Sequence, residues 1–283
     1  MAIEGVHHIV CPVDFSDLSA LALRYADALA RCAGATLVVV YANPFLPPPH
    51  LNTEQVAEME RQFRRSHAEA DQSVRRFVGS ILIGDAANIE IRVVEALPVE
   101  GIRAAAEDVR AGIIVVGTHG QSGVNRLMMG SVAERLINES PLPVLTVRGS
   151  GAQLNIRRIL CAVDNTGLSR RALAWACRIG RCFGAQVIAL HVREPGEPSG
   201  IDDLRSWIPE TMSAGALLRE GDPAAEIVSA AAEADLVVIG AHHRRFHGAQ
   251  SIGHTTVRVV RHAPTPVMTV VGAVSGETSA ATD

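Results

Sequence analysis

The chain carries one unit twice, so its fold must be one that can be duplicated and packed against its own copy. Ile9-Val10-Cys11-Pro12-Val13-Asp14 returns as Ile159-Leu160-Cys161-Ala162-Val163-Asp164, a shift of 150 residues. Arg31-Cys32-Ala33-Gly34-Ala35 returns as Arg181-Cys182-Phe183-Gly184-Ala185 with the same shift of 150. Later, Val116-Gly117 matches Ile239-Gly240, Gly130 matches Gly253, and Pro141-Leu142-Pro143-Val144 matches Pro264-Thr265-Pro266-Val267, all shifted by 123. A chain of 283 residues holds two domains of ordinary size. We expect domain one over 1–149 and domain two over 155–273, joined near Gly149-Ser150-Gly151-Ala152, with a disordered Ser/Thr/Ala-rich tail at 274–283.

Within each copy, short β-branched runs alternate with longer amphipathic stretches. That alternation predicts an α/β fold, a parallel sheet with helices on both faces. In copy one the strands are expected at 6–13, 36–42, 89–95, 112–117 and 143–148, and the helices at 17–33, 53–79, 98–110 and 131–139. Ser16 and Thr166 are placed to cap equivalent helices, and Asp222-Pro223 reads as a cap followed by proline at the first helical position.

The stretch with the clearest chemistry follows the fourth strand. Gly117-x2-Gly120-x9-Gly130-Ser131 runs from the end of a strand, through a glycine loop, into a helix N-terminus, with Ser131-x-x-Glu134 in the manner of a capping box. Glycines let backbone approach an anion closely, and the first-turn N–H groups point at it with the positive end of the helix dipole. Composition narrows the alternatives. All 26 basic residues are arginine, which excludes Schiff-base chemistry and a P-loop lysine. A net charge of −4 gives no general pull towards nucleic acid or acidic membranes. No apolar run reaches membrane-spanning length and a strand begins within a few residues of the N-terminus, so the default expectation is a cytoplasmic protein.

The glycine spacing resembles that of ATP-binding members of the universal stress protein family, and the resemblance covers nearly the whole chain except 44–80 and the residues after Gly272. It implies two tandem doubly wound, Rossmann-like (adenine nucleotide alpha hydrolase-like) domains, each of five strands in the order 3-2-1-4-5. The last strands, Val144–Val147 and Val267–Val271, would pair the copies into an internal pseudo-dimer, with a homodimer of whole chains beyond that. The resemblance also implies a site. Pro12, Val13, Asp14 and Ala42 would frame adenine and ribose, and Gly117, His119 and Gly120 would line the phosphates. Gly130, Ser131, Val132 and Ala133 would donate from the helix N-terminus, and Arg126 would pair with a phosphate. Asp14 would hold a ribose or adenine group, or a phosphate-bound Mg²⁺ through water; its plainer role is to cap the following helix.

The copies differ in ways that bear on function. Between Tyr41 and Glu95 the shift falls from 150 to 125, so copy two lacks 25 residues there, where copy one has Phe45-Leu46-Pro47-Pro48-Pro49 and a long Glu/Arg-rich helix. Copy two offers only Ile201–Trp207 as cover, leaving one face of its sheet for a protein partner or ligand, or for Trp207 to pack back on its own sheet. Copy two reads Gly240-Ala241-His242-His243 and ends Gly253-His254, so histidine replaces the second glycine and the serine. One nucleotide site per chain follows, in domain one. His242, His243, His247 and His254 form the sole histidine cluster; without a carboxylate or thiolate nearby in sequence they make a weak metal set, and with Arg244 and Arg245 a possible anion site. The five cysteines include no CxxC pair, and buried hydrophobic roles are expected for them, Cys32 and Cys182 included. No catalytic residue stands out. The expectation is an ATP-binding regulatory protein of the stress response acting on an unknown partner, with a slow ATP hydrolase or a ligand-binding scaffold as rivals.

Overall fold

The computed structural model describes residues 3, 5–44, 53–84, 87–118, 129–149, 154, 156–164, 166–193, 207, 214–246 and 249–272. Domain one runs β1 (His8–Pro12), α1 (Asp17–Ala33), β2 (Thr36–Ala42), α2 (Thr53–Ile81), β3 (Asn88–Val94), α3 (Pro98–Asp108), β4 (Ile113–Gly117), α4 (Ser131–Glu139) and β5 (Val144–Val147). Domain two repeats the scheme with β6 (Arg158–Ala162), α5 (Gly167–Phe183), β7 (Gln186–Arg193), β8 (Ala214–Glu220), α6 (Pro223–Ala231) and β9 (Leu236–Ala241). A hairpin of β10 (His243–Phe246) and β11 (Ala249–Ile252) follows, then α7 (His254–His262) and β12 (Val267–Val271).

The expected caps are present. Ser16 Oγ accepts from Ser19 N, Thr166 Oγ1 from Ser169 N, and Asp222 from Ala225 N, with Pro223 in the first turn. Gly34 and Gly184 end their helices in the left-handed conformation, at φ 65° and 63°. Strands β1, β2, β4, β6 and β9 are almost wholly buried on both faces, as their mostly apolar composition requires.

All strands but the hairpin join one ten-stranded sheet in the order β3-β2-β1-β4-β5-β12-β9-β6-β7-β8. Each half is parallel with the order 3-2-1-4-5, and the halves meet where β5 pairs antiparallel with β12. The register at that seam is self-complementary: Val267 faces Thr146, Met268 faces Leu145 and Thr269 faces Val144. Under the 123-residue repeat, Leu145 and Met268 are equivalents, so an approximate two-fold axis passes between them. The seam's side chains obey it too, since Thr146 Oγ1 donates to the Val267 carbonyl at 2.9 Å and Thr269 Oγ1 to the Val144 carbonyl at 3.2 Å.

The same axis corrects one expectation from the sequence. Cys32 and Cys182, expected as isolated buried residues, are joined by a disulfide, with Cα atoms 5.7 Å apart and 150 residues between them. Their helices α1 and α5 pack together across the seam. Two residues related by a two-fold and close to its axis necessarily face each other, which is why these cysteines meet. Cys11, Cys161 and Cys177 are buried thiols, as expected.

The candidate cover Ile201–Trp207 falls outside the described residues except for Trp207 itself. Trp207 is half-buried against the core, with the Arg170 guanidinium 4.6 Å from its ring centre. Packing back on its own domain is therefore the arrangement found for that residue. The Pro-rich loop 45–49, the tail 274–283 and the inter-copy linker 150–153 also lie outside the described residues. No helix among the described residues is long and apolar enough to cross a membrane.

Candidate functional site

In domain one the strand order reverses between β1 and β4, and the crevice beyond their carboxyl ends is where open parallel sheets bind ligands. A cavity of about 300 Å³ opens there. Pro12, Val13 and Asp14 form its floor from the end of β1, and Val40, Tyr41 and Ala42 continue it along β2. Pro98 and Ile102 of α3 supply an apolar wall, with Val116, Gly117 and Thr118 opposite. Gly130, Ser131 and Val132 at the start of α4 close the remaining side. Eight of the expected residues thus converge on one cavity: Pro12, Val13, Asp14, Ala42, Gly117, Gly130, Ser131 and Val132.

The other four are not among its described lining residues. Ala133 turns its methyl into the core, 2% exposed. His119, Gly120 and Arg126 lie outside the described residues. The ends of their loop are nonetheless held, because Thr118 is fully buried, donates to the Val147 carbonyl at 2.9 Å, and accepts from Gly130 N at 2.7 Å. The residues missed from sequence are Ser19, Val40, Tyr41, Pro98, Ile102, Val116 and Thr118. Their signal was positional: Pro98 opens α3 where Pro223 opens α6, and a proline-started helix beside a strand end presents its first turn to the crevice.

Gly117 has a reason beyond anion approach. A Cβ there would lie 3.0 Å from the backbone of Leu18, so the glycine lets α1 pack against the end of β4. Gly240 does the same for α5, where a Cβ would stand 2.9 Å from Leu168.

The capping box does not form. Helix α4 starts at Ser131 as expected, but Gly130, in extended conformation, is its N-cap. From that position the Ser131 hydroxyl is inside the first turn rather than ahead of it, and the helix has no side-chain cap. Glu134, expected to close the box, instead accepts from Arg261 Nη2 at 2.7 Å. The N–H groups of Ser131, Val132 and Ala133 precede the first intrahelical bond, Glu134 N to Gly130 O at 3.0 Å, so the helix leaves its first-turn donors to the crevice.

Asp14 accepts from Ser16 N at 3.1 Å and Ser16 Oγ at 2.5 Å, so it orients the cap of α1 instead of being the cap. The next residue, Phe15, has φ 64°, a left-handed conformation costing a non-glycine residue about 1–2 kcal/mol. Its ring is held by Tyr41 and Phe77, with centroids 4.9 and 5.4 Å away. The turn that presents Asp14 is thus fixed by aromatic packing from β2 and α2.

The corresponding place in domain two is built differently. Asp164 accepts from Ser169 Oγ at 2.6 Å, from Thr166 N at 3.0 Å and from Thr166 Oγ1. Burial works to raise its pKa, but these bonds and nearby His242 outweigh it and hold the carboxyl below its ordinary value. His191, the counterpart of Tyr41, bonds through Nδ1 to the Val163 carbonyl at 2.9 Å. The segment after β9 is the β10–β11 hairpin, packed on α4 of domain one, with Ile252 N donating to Asn138 Oδ1 at 3.1 Å. His243 lies in a strand, His254 opens α7, and His247 is outside the described residues. Among the described residues no three His, Cys, Asp or Glu groups gather as a metal site.

Comparison with known proteins identifies the repeat. The universal stress protein family matches over residues 5–148 and again over 155–271. A universal stress protein of Thermus aquaticus is 33% identical over 140 residues, covering 50% of this chain and 97% of its own. One from Methanocaldococcus jannaschii is 31% identical over 144 residues, 50% of this chain and 81% of its own. The crystal structure of a universal stress protein from Archaeoglobus fulgidus superposes with a TM-score of 0.69 at 21% identity, covering 94% of this chain and 99% of that one. This last likeness concerns the fold.

Proposed function

The chain belongs to the universal stress protein family, and on that premise we propose that it is an ATP-binding stress-response regulator with a single nucleotide site, in domain one. The observation carrying this is the convergence of an apolar slot and an uncapped helix N-terminus on one cavity at the sheet's switch point. Val40, Ile102, Pro98 and Val116 offer apolar surface to a base, and Asp14 offers an acceptor to hydroxyl or amino groups. Gly130, Ser131 and Val132 direct N–H groups at an anion, and His119, Gly120 and Arg126 would complete the phosphate side from the adjoining loop. Among the described residues Asp14 is the one carboxylate lining the cavity, so a Mg²⁺ ion would be held chiefly by the phosphates and reach Asp14 through water. Binding would order the loop between Thr118 and Gly130 and alter a surface presented to a protein partner.

The test is to denature the purified protein and identify the released nucleotide by chromatography. One ATP per chain, lost in Gly120→Val, supports the proposal. ADP in its place supports the slow hydrolase that shares the site. Absence of nucleotide, together with a melting temperature unmoved by added ATP, overturns the nucleotide reading.

A further inference from the structure

Of the five cysteines, three have no access to solvent chemistry. Cys11 and Cys161 are 0% exposed in the central strands of the two domains, and burial pushes both thiols far above their ordinary pKa. Cys177 is 2% exposed in α5, and burial raises its thiol likewise, against a smaller lowering by Arg181. Cys32 and Cys182 are only half-buried, each preceded by an exposed arginine, Arg31 and Arg181. The partly exposed cysteines therefore sit at one point, where the two domains meet.

That point is set by symmetry. The seam between β5 and β12 has a two-fold register through Leu145 and Met268, and the 150-residue repeat makes Cys32 and Cys182 equivalents about the same axis. The packing of α1 on α5 and the continuous sheet also join the two domains around this point, alongside the covalent bond. A dithiol held in register by the rest of the fold and open to solvent can be closed and reopened without rebuilding the protein.

We propose that Cys32 and Cys182 form a reversible thiol–disulfide staple between the domains, exchanging with low-molecular-weight disulfides of the glutathione class. One cysteine thiolate attacks a sulfur of the oxidised tripeptide, forming a mixed disulfide and releasing one tripeptide thiolate. The second cysteine thiolate attacks the protein-side sulfur of that mixed disulfide and releases the other. The two protein thiol protons end on the two released thiols, and two electrons pass to the small disulfide. Closure spans 150 residues, long enough for a bond in this place to restrict the unfolded chain strongly. The staple is independent of any ligand in domain one.

The test equilibrates the full chain in glutathione buffers from fully reduced to fully oxidised, quenches with acid, alkylates under denaturing conditions and maps peptides by mass. The expected result is a single redox transition in which Cys32 and Cys182 alone lose alkylation and appear as one cross-linked peptide pair, while Cys11, Cys161 and Cys177 stay alkylated throughout. The oxidised chain should melt at a higher temperature than the reduced chain, and Cys32→Ser and Cys182→Ser should melt at one temperature in both buffers. The proposal is overturned if Cys32 and Cys182 remain alkylated at every ratio, if either pairs with another cysteine, or if the bond persists in fully reduced glutathione buffer under native conditions. A redox-dependent melting shift that survives in Cys32→Ser overturns it equally.

Discussion

The two strand-end crevices start from the same residues and finish as different objects. Asp14 and Asp164 are equivalent, and each follows a buried strand and precedes a hydroxyl cap. In domain one Ser19 Oγ donates back to the Ser16 carbonyl at 2.9 Å, and Asp14 faces the cavity. In domain two the matching Ser169 Oγ donates to Asp164 itself, which is then held by three bonds. After the fourth strand, domain one ties Thr118 to Gly130, while domain two folds a hairpin onto α4 of its neighbour. What separates them is mainly where polar groups find partners. Helices α4 and α7 both start without a side-chain cap, but that of domain one lines the cavity, whereas domain two ties its strand-end carboxylate internally and gives its hairpin to the interface.

The largest effect should come from filling the domain-one helix start. Gly130→Val should weaken ATP binding about a hundredfold or more, roughly 3 kcal/mol, measured by calorimetric titration. Gly253→Val should leave that affinity unchanged; equal losses in both would break the contrast between domains.

Next in size is the arginine that only domain one's last strand provides. Arg148 Nη1 donates to the carbonyls of Arg261 and Ala263 at 3.0 and 2.6 Å, and Nη2 to that of Val260 at 2.6 Å, capping the end of α7 across the seam. Its repeat counterpart is Val271. Arg148→Met should cost about 2–4 kcal/mol in urea unfolding by leaving helix-end carbonyls without donors.

A smaller change is expected at Asp164. Because its folded pKa lies below the ordinary 3.8, its contribution is present at neutral pH and is lost as pH falls through the folded value. Asp164→Asn should lower stability by about 1 kcal/mol at pH near 7, and the gap to the parent should close in acid. A gap that is constant down to strongly acidic pH would assign the loss to packing.

The smallest expected effect is none. His243→Gly with His254→Ser restores the glycine and serine pattern to domain two, yet nucleotide stoichiometry should stay at one per chain, because Asp164 and the hairpin keep their partners. A second bound nucleotide would show that the two histidines alone separate the domains.

Much of this was legible in the amino-acid order. Helices α1 and α4 begin and end at the residues expected from caps and periodicity, and β2 does so from its β-branched run. Eight of the cavity's residues are among those that the family resemblance implies. These are local matters, or matters of repetition, and a sequence displays both directly. The helix start at Ser131 was right but the capping box was not, because Gly130 took the cap and Glu134 paired with Arg261. The disulfide was missed although its signal was present: two cysteines separated by the repeat length, in a chain expected to pair its copies about a two-fold.

The sequence by itself determined the doubled α/β unit, the alternation of strand and helix, the helix caps and the set of residues at the end of β1 and the start of α4. Periodicity, capping chemistry and repetition act over a few residues or between identical patterns. The tertiary structure alone decided which way Ser19 and Ser169 donate, that Glu134 pairs with Arg261, that the second glycine loop becomes a hairpin on α4, and that Cys32 meets Cys182 on the axis. The two serines choose between acceptors three to five residues away, a choice set by packing around the turn; the other partners are far apart in the chain, and the packed seam between β5 and β12 brings them within reach.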